Sequence, residues 1–333
     1  MKISRRLIVG LGLVAVVTAS AGAQPAATPA AVARDGRWAV IVSGASGGQD
    51  YAAQLGGWRQ AMSSALVSRF GFQPSQILQL VDETARESGT PATAENVRKT
   101  FTTLKGQTQK DDLVLVVLLG HGTFDGTQAK FNLVGPDLTA ADWSVMLGTV
   151  PGRMVVVNTT EASAPFVQAL AERGRVVITA TETAAQRYAT VFPDYFAKAL
   201  GDAASDLDKN GRTSIWELFA AASGGVARHY TERAQLTTER AILTDTAERA
   251  GVQATATGLQ GTMARGLYLD RDSATESADP VVRELIGRRR ALEVDAVALI
   301  QKKPGADPAT WSAEFERLMI ELARVSREIR QRS

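Results

Sequence analysis

Leu113-Val-Leu-Val-Val-Leu-Leu-Gly-His-Gly122 is the stretch on which the reading of this chain turns. Its seven leading residues are apolar without interruption. A run of that length, rich in β-branched side chains, reads as a strand buried on both faces. It ends in a histidine held between two glycines. Ligand sites in open α/β sheets form beyond the carboxyl ends of strands, so His121 is the first candidate functional residue.

Working outward, the same pattern recurs. Trp38-Ala-Val-Ile-Val-Ser-Gly44, Ile77-Leu-Gln-Leu-Val81, Arg153-Met-Val-Val-Val157 and Arg175-Val-Val-Ile-Thr179 are further apolar strands. Helical spacing fits between them at about 55–70, 94–105, 139–148, 163–173 and 190–202. Buried strands alternating with helices give an α/β class, a mostly parallel sheet with helices on both faces, over 38–240. The strands ending at Gly44, Leu119, Val157 and Thr179 are expected to lie parallel in one sheet.

The flanks differ. Residues 1–23 read as a secretory signal: Lys2, Arg5 and Arg6 begin it, Leu7 to Thr18 is an apolar stretch, and Ala21-Gly22-Ala23 forms a cleavage box. The alternative is an uncleaved anchor. The protein is expected to be exported, periplasmic or secreted, by the general or the twin-arginine route, with no membrane attachment after cleavage. Residues 24–37 are rich in Ala and Pro and read as a linker. Residues 241–280 are small, polar and weakly periodic, an irregular connector. Residues 281–333 read as a coiled-coil-like helical hairpin. Asp307 is its N-cap and Pro308 the first helical residue of the second helix. Leu285, Leu292 and Leu299 form one seam; Trp311, Phe315, Leu318, Leu322, Val325 and Ile329 form the other. The hairpin either packs on its own chain or dimerises.

The chain has 37 Lys and Arg against 35 Asp and Glu. Three of the basic residues, and no acid, lie in the signal, so the remainder is close to neutral. That balance argues against nucleic acid as a partner. The absence of cysteine excludes disulfides, a lipid anchor on cysteine and thiol catalysis alike. There is no G-x-G-x-x-G, no Tyr-x-x-x-Lys and no G-x-S-x-G, which sets aside dinucleotide enzymes and serine hydrolases of the elbow type.

Of the two histidines, His229 falls inside a helical stretch and reads as a helix-face residue. His121 can present its imidazole and the neighbouring glycine-turn amides to a substrate carbonyl. The strand after it ends Asn158-Thr-Thr-Glu-Ala-Ser163. Together, the Trp38–Gly44 strand, the Gly-His-Gly element and this strand end resemble the legumain-like (C13) branch of the caspase-type cysteine peptidases, over roughly residues 37–235. That family places histidine in a strand-end His-Gly and cysteine at the end of the next strand, in a pattern like acid-Ala-Cys-Glu-Ser-Gly. Thr179-Ala180 and Tyr188-Ala189 match its Thr-Ala and Tyr-Ala pairs. The resemblance implies catalytic positions at His121 and Thr160, and substrate-side positions at Gly122, Glu161 and Ser46.

The departures concern catalysis itself. Thr160 stands where the cysteine belongs, and a mid-chain threonine lacks the amine that activates threonine nucleophiles. Tyr51-Ala52-Ala53 replaces the family's Tyr-Arg-His, which removes the guanidinium of an asparagine-reading pocket. Thr160→Cys is expected to restore thiol reactivity if His121 is still placed for chemistry.

One further motif stands apart. Asp206-Leu-Asp208-Lys-Asn210-Gly211-Arg212-Thr-Ser214-Ile-Trp-Glu217 fits a twelve-residue EF-hand-like loop. Asp206, Asp208, Asn210 and Glu217 would ligate Ca2+ by side chain and Arg212 by its carbonyl. The alternative is a calcium-free turn in which Asp206 caps the following segment. Three functional readings result: a catalytically degenerate protein that binds peptide or protein segments, a weak hydrolase using Thr160 or Ser163 with His121, and a calcium-braced structural or interaction module.

Overall fold

The computed structural model describes residues 35–82, 89–255, 261–271, 279–302 and 305–332. The signal and nearly all of the Ala/Pro-rich segment lie outside these residues. No helix among the described residues is long and apolar enough to cross a membrane.

The apolar runs form a seven-stranded sheet. In chain order its strands are β1 (Arg37–Ser43), β2 (Ile77–Val81), β3 (Thr90–Pro91), β4 (Leu113–Leu119), β8 (Arg153–Asn158), β9 (Arg175–Thr179) and β10 (Ile242–Thr244). Their spatial order is β10-β9-β8-β4-β1-β2-β3, parallel throughout except for β10 against β9. The register runs from Arg37↔Leu113 to Ser43↔Leu119, with Leu118 opposite Asn158 and Asn158 opposite Thr179. The four strands therefore end level, as their sequences predict, and everything that follows them emerges at one edge.

Both faces are buried, which is why the strands carry no polar alternation. Ala39, Ile41, Leu115, Val117, Val155, Val157 and Ile178 face one core, shared with α1 (Gln49–Ser68), α5 (Phe192–Gly201) and α6 (Ile215–Glu232). Val40, Val42, Val114, Val116, Leu118, Val156 and Val177 face the other, shared with α2 (Ala94–Gln107), α3 (Ala140–Leu147) and α4 (Pro165–Leu170). A smaller antiparallel sheet, β5 (Gly122–Phe124), β6 (Ala129–Phe131) and β7 (Leu138–Thr139), follows directly from His121.

Two expectations need correction. Arg37 is not linker but the first residue of β1. Its buried guanidinium is paired with Asp35 at 2.8 Å and donates to the carbonyls of Phe70 and Leu269. A buried cation is tolerated there because its donors find acceptors. The stretch 241–280 is also less irregular than its composition suggests. Ile242, Leu243 and Thr244 pair antiparallel with Thr179, Ile178 and Val177, giving backbone partners to the edge that β9 would otherwise leave open. Within the same stretch α7 (Thr262–Gly266) packs on α6, and the Ile215 amide donates to Leu267 O at 2.8 Å.

The C-terminal hairpin is made of α8 (Pro280–Lys302) and α9 (Pro308–Arg332). Asp307 accepts from the Thr310 amide and hydroxyl at 2.9 and 2.8 Å, as an N-cap should. Leu318, Leu322, Val325 and Ile329 of α9 are buried against Val282, Ile286 and Leu292 of α8. Leu285 and Leu299 of the expected seam are only partly covered. Glu293 of the same helix reaches Arg212 of the α/β domain at 3.9 Å.

Candidate functional site

The level strand ends bring four residues into one chain of hydrogen bonds. Asp82 follows β2, Ser46 follows β1, His121 follows β4 and Glu161 follows β8. The Ser46 amide and hydroxyl donate to Asp82 Oδ2 at 2.8 and 2.6 Å. The imidazole of His121 is hydrogen-bonded to the Ser46 backbone, and its Nδ1 lies 2.8 Å from Glu161 Oε1. Tyr51, from the first turn of α1, stacks on the imidazole at 4.5 Å and donates to Gly120 O at 3.3 Å.

Two glycines permit this convergence. Gly120 has φ of 140°, a region that side chains rarely enter. A Cβ on Gly122 would lie 2.5 Å from the carbonyl oxygen of Glu161 and closer still to Thr160 Oγ1. The histidine loop and the turn after β8 can approach this closely only because residue 122 has no side chain.

The electrostatics follow from the contacts. The hydrogen bond to Glu161 holds the His121 pKa above its ordinary value; partial burial opposes this, while the Glu161 charge and the Ser46 backbone add to it. Held between acceptors, His121 is favoured in its imidazolium form relative to a free histidine. Burial, reinforced by the Glu161 carboxylate, keeps the Tyr51 phenol protonated.

Thr160 is brought to the same edge but turned away from chemistry. It is fully buried. Its hydroxyl donates to Asn158 Oδ1 at 2.8 Å, with Glu161 O at 3.1 Å, and its amide also donates to Asn158 Oδ1, at 3.1 Å. The Thr160 amide is thus occupied by the same side chain as the hydroxyl. Ser163, the alternative nucleophile, is also fully buried and shares hydrogen bonds with Thr181, remote from His121 in this network. Ser46 bears on the site through its backbone, since its hydroxyl is held by Asp82. Sequence reasoning missed Asp82; the signal was available in an acid placed directly after the strand Ile77–Val81. His229 meets Tyr195 Oη at 3.2 Å on the helix face expected of it.

The EF-hand-like loop forms a second cluster. Ligand atoms of Asp206, Asp208 and Glu217 lie within 4.8 Å of one another, the one such grouping among the described residues. Asp206 accepts from the amides of Asn210 and Gly211 at 3.0 and 2.9 Å, and Asn210 Oδ1 accepts from the Arg212 amide at 2.8 Å. The two bonds to Asp206 are the local capping that the calcium-free alternative expects of it, while the cap of α6 itself is Ser214, reciprocated by Glu217. That Ser-x-x-Glu capping box satisfies two amides at the helix start at once. Burial, then the charges of Glu217 and Asp206, push Asp208 up to about 7. The residue as a whole is exposed, so the two neighbouring carboxylates, fixed by geometry, are the firmer cause. The Arg212 side chain lies over the Tyr268 ring at 3.7 Å, leaving only its carbonyl for the loop.

Comparison with protein-family models and with curated proteins finds no match. Among solved structures the chain is similar to a protein of Geobacter sulfurreducens (TM-score 0.41, 12% identity, covering 62% of this chain and 92% of that one). It is also similar to the Drosophila initiator caspase Dronc (TM-score 0.42, 11% identity, covering 66% of this chain and 82% of that one). Likenesses of this size say nothing of chemistry, which rests on the side chains described above.

Proposed function

We propose that this chain is an exported, catalytically degenerate protein of the caspase/legumain-like type that uses the strand-end edge around His121 and Glu161 to bind peptide or protein segments. One observation carries the reading: His121 and Glu161 are paired at the sheet edge, while the Thr160 hydroxyl is buried and donates to Asn158. A hydrolase needs its nucleophile reachable and bonded to its base. Here the base position bonds to a carboxylate and the nucleophile position to an amide oxygen. This weighs against the weak-hydrolase reading for both Thr160 and Ser163. Export is supported by the basic start, apolar stretch and cleavage box of residues 1–23.

The test is the reactivity of a restored thiol. The resemblance alone implies that Thr160→Cys should react readily with a thiol-directed probe. The burial of residue 160 leads to the opposite expectation: alkylation slower than at an exposed control such as Ala185→Cys. Faster, His121-dependent alkylation at residue 160 would overturn the proposal.

A second reading concerns the loop at 206–217, favoured by the convergence of Asp206, Asp208 and Glu217. Ca2+ held there by these carboxylates, Asn210 and the Arg212 carbonyl would brace the corner where Arg212 meets Tyr268 and Glu293 of α8. The hairpin seam buried within one chain supports an intrachain role over a dimerisation arm.

A further inference from the structure

The Glu161 carboxylate is only half used. Its residue is 8% exposed; Oε1 meets His121 at 2.8 Å, and Oε2 is buried without a hydrogen-bond partner among the described residues. A buried carboxylate oxygen without a donor is unfavourable, and a cationic nitrogen is the partner that relieves it most. The chain of hydrogen bonds across the edge contains two carboxylates, Asp82 and Glu161, and one imidazole. No lysine or arginine is bonded to Glu161 among the described residues. His121 is therefore the cationic partner that the described residues offer to Glu161.

We infer that Glu161 is the receptor for a cationic nitrogen, the guanidinium or ammonium of a basic side chain in a bound peptide, and that His121 holds the place of that cation in the free protein. The inference rests on the peptide-binding reading above. Oε2 is closed to solvent in the present arrangement, so the ligand enters by displacing the imidazole, whose side chain is 32% exposed. The groups facing His121 are Glu161, Tyr51 and the Ser46 backbone, itself tied to Asp82. Of these only Glu161 is a carboxylate in direct contact. Ligand and imidazolium thus compete for one acid.

Competition gives the two neighbours opposite effects. The test is an NMR titration of the full chain with an acetylated and amidated pentapeptide carrying a central arginine between alanines. Matched peptides carry citrulline or norleucine at the same position. The arginine peptide is expected to bind more tightly than either. Glu161→Gln should weaken it by about tenfold or more, the scale of a charge-assisted hydrogen bond. His121→Gln should strengthen it, because the competing cation is gone. A collapsed site would weaken binding in both variants, which would overturn the inference. Equal binding of the citrulline or norleucine peptide would also overturn it while leaving the peptide-binding reading intact. If no peptide perturbs the resonances of residues 120–122 and 158–163, both fail together.

Discussion

The contact between residue 122 and the Thr160 turn gives a quantitative test. In Gly122→Ala the new methyl would fall 2.5 Å from the Glu161 carbonyl oxygen, and nearer to Thr160 Oγ1. Carbon atoms do not settle at such distances, so one loop must move. Neither can do so cheaply: Gly122 opens β5, paired to Phe131, and Glu161 follows a strand fixed on both sides. Overpacking of this kind costs about 1–3 kcal/mol. In a domain of this size that lowers Tm by roughly 2–4 °C for each kcal/mol. The displacement also separates His121 from Glu161, which follow the moving backbone. Thr160→Ala removes Oγ1 but leaves the Glu161 carbonyl in place, so the double variant should regain only part of the loss. Thermal and denaturant melts of the four proteins measure this. A Gly122→Ala protein as stable as the parent, or complete rescue by Thr160→Ala, would refute the described approach of the two loops.

Three other outcomes follow from the same contacts. The His121 pKa, read from its ring resonances, should lie above the ordinary 6.5 and fall toward it in Glu161→Gln. Because the folded value is raised, the pair stabilises fully below the ordinary pKa and that stabilisation is lost as pH rises through the folded pKa; the parent's advantage over Glu161→Gln should shrink across that interval. Millimolar Ca2+ should raise Tm by mass action. Glu217→Gln should diminish that rise and also melt below the parent without calcium, since Oε1 accepts from the Leu207 and Asp208 amides while Oε2 accepts from Ser214, and glutamine has one acceptor oxygen for the two sets. Leu322→Ala, in the hairpin seam, should cost about 2–4 kcal/mol of hairpin stability, seen as faster amide exchange in 280–332 with an unchanged sedimentation coefficient.

Much of this architecture was legible because the parallel strands are buried on both faces. Leu113–Leu119 and Arg153–Asn158 need no alternation, so their apolar runs stand out from the helices between them. The level strand ends then placed His121 and Thr160 at one edge. What escaped notice is short or relational. The three strands after His121 hold three, three and two residues, too few for a period to register. Ile242–Thr244 is a strand because β9 offers it an edge, a property of β9 and not of its own composition. The site shows the same division. Sequence identified Glu161 as a substrate-side residue, yet the partner of His121 is decided by where the turn after β8 points. In that turn Ala162 sits at φ 50°, and the Asn158 side chain gathers the Thr160 hydroxyl and amide. Such a geometry leaves no periodic trace. The EF-hand-like spacing was plain, whereas the use of Glu217 in a capping box required the helix start to be known.

The central claim is that the strand-end edge around His121 and Glu161 serves binding while its nucleophile position does not act. The direct test is to incubate the wild-type chain and its Thr160→Ala variant with a complex peptide pool and compare the products by mass spectrometry. The account predicts no new termini in either sample beyond those in buffer alone. New termini produced by the wild type and absent with Thr160→Ala would contradict it, and would make Thr160 a working nucleophile.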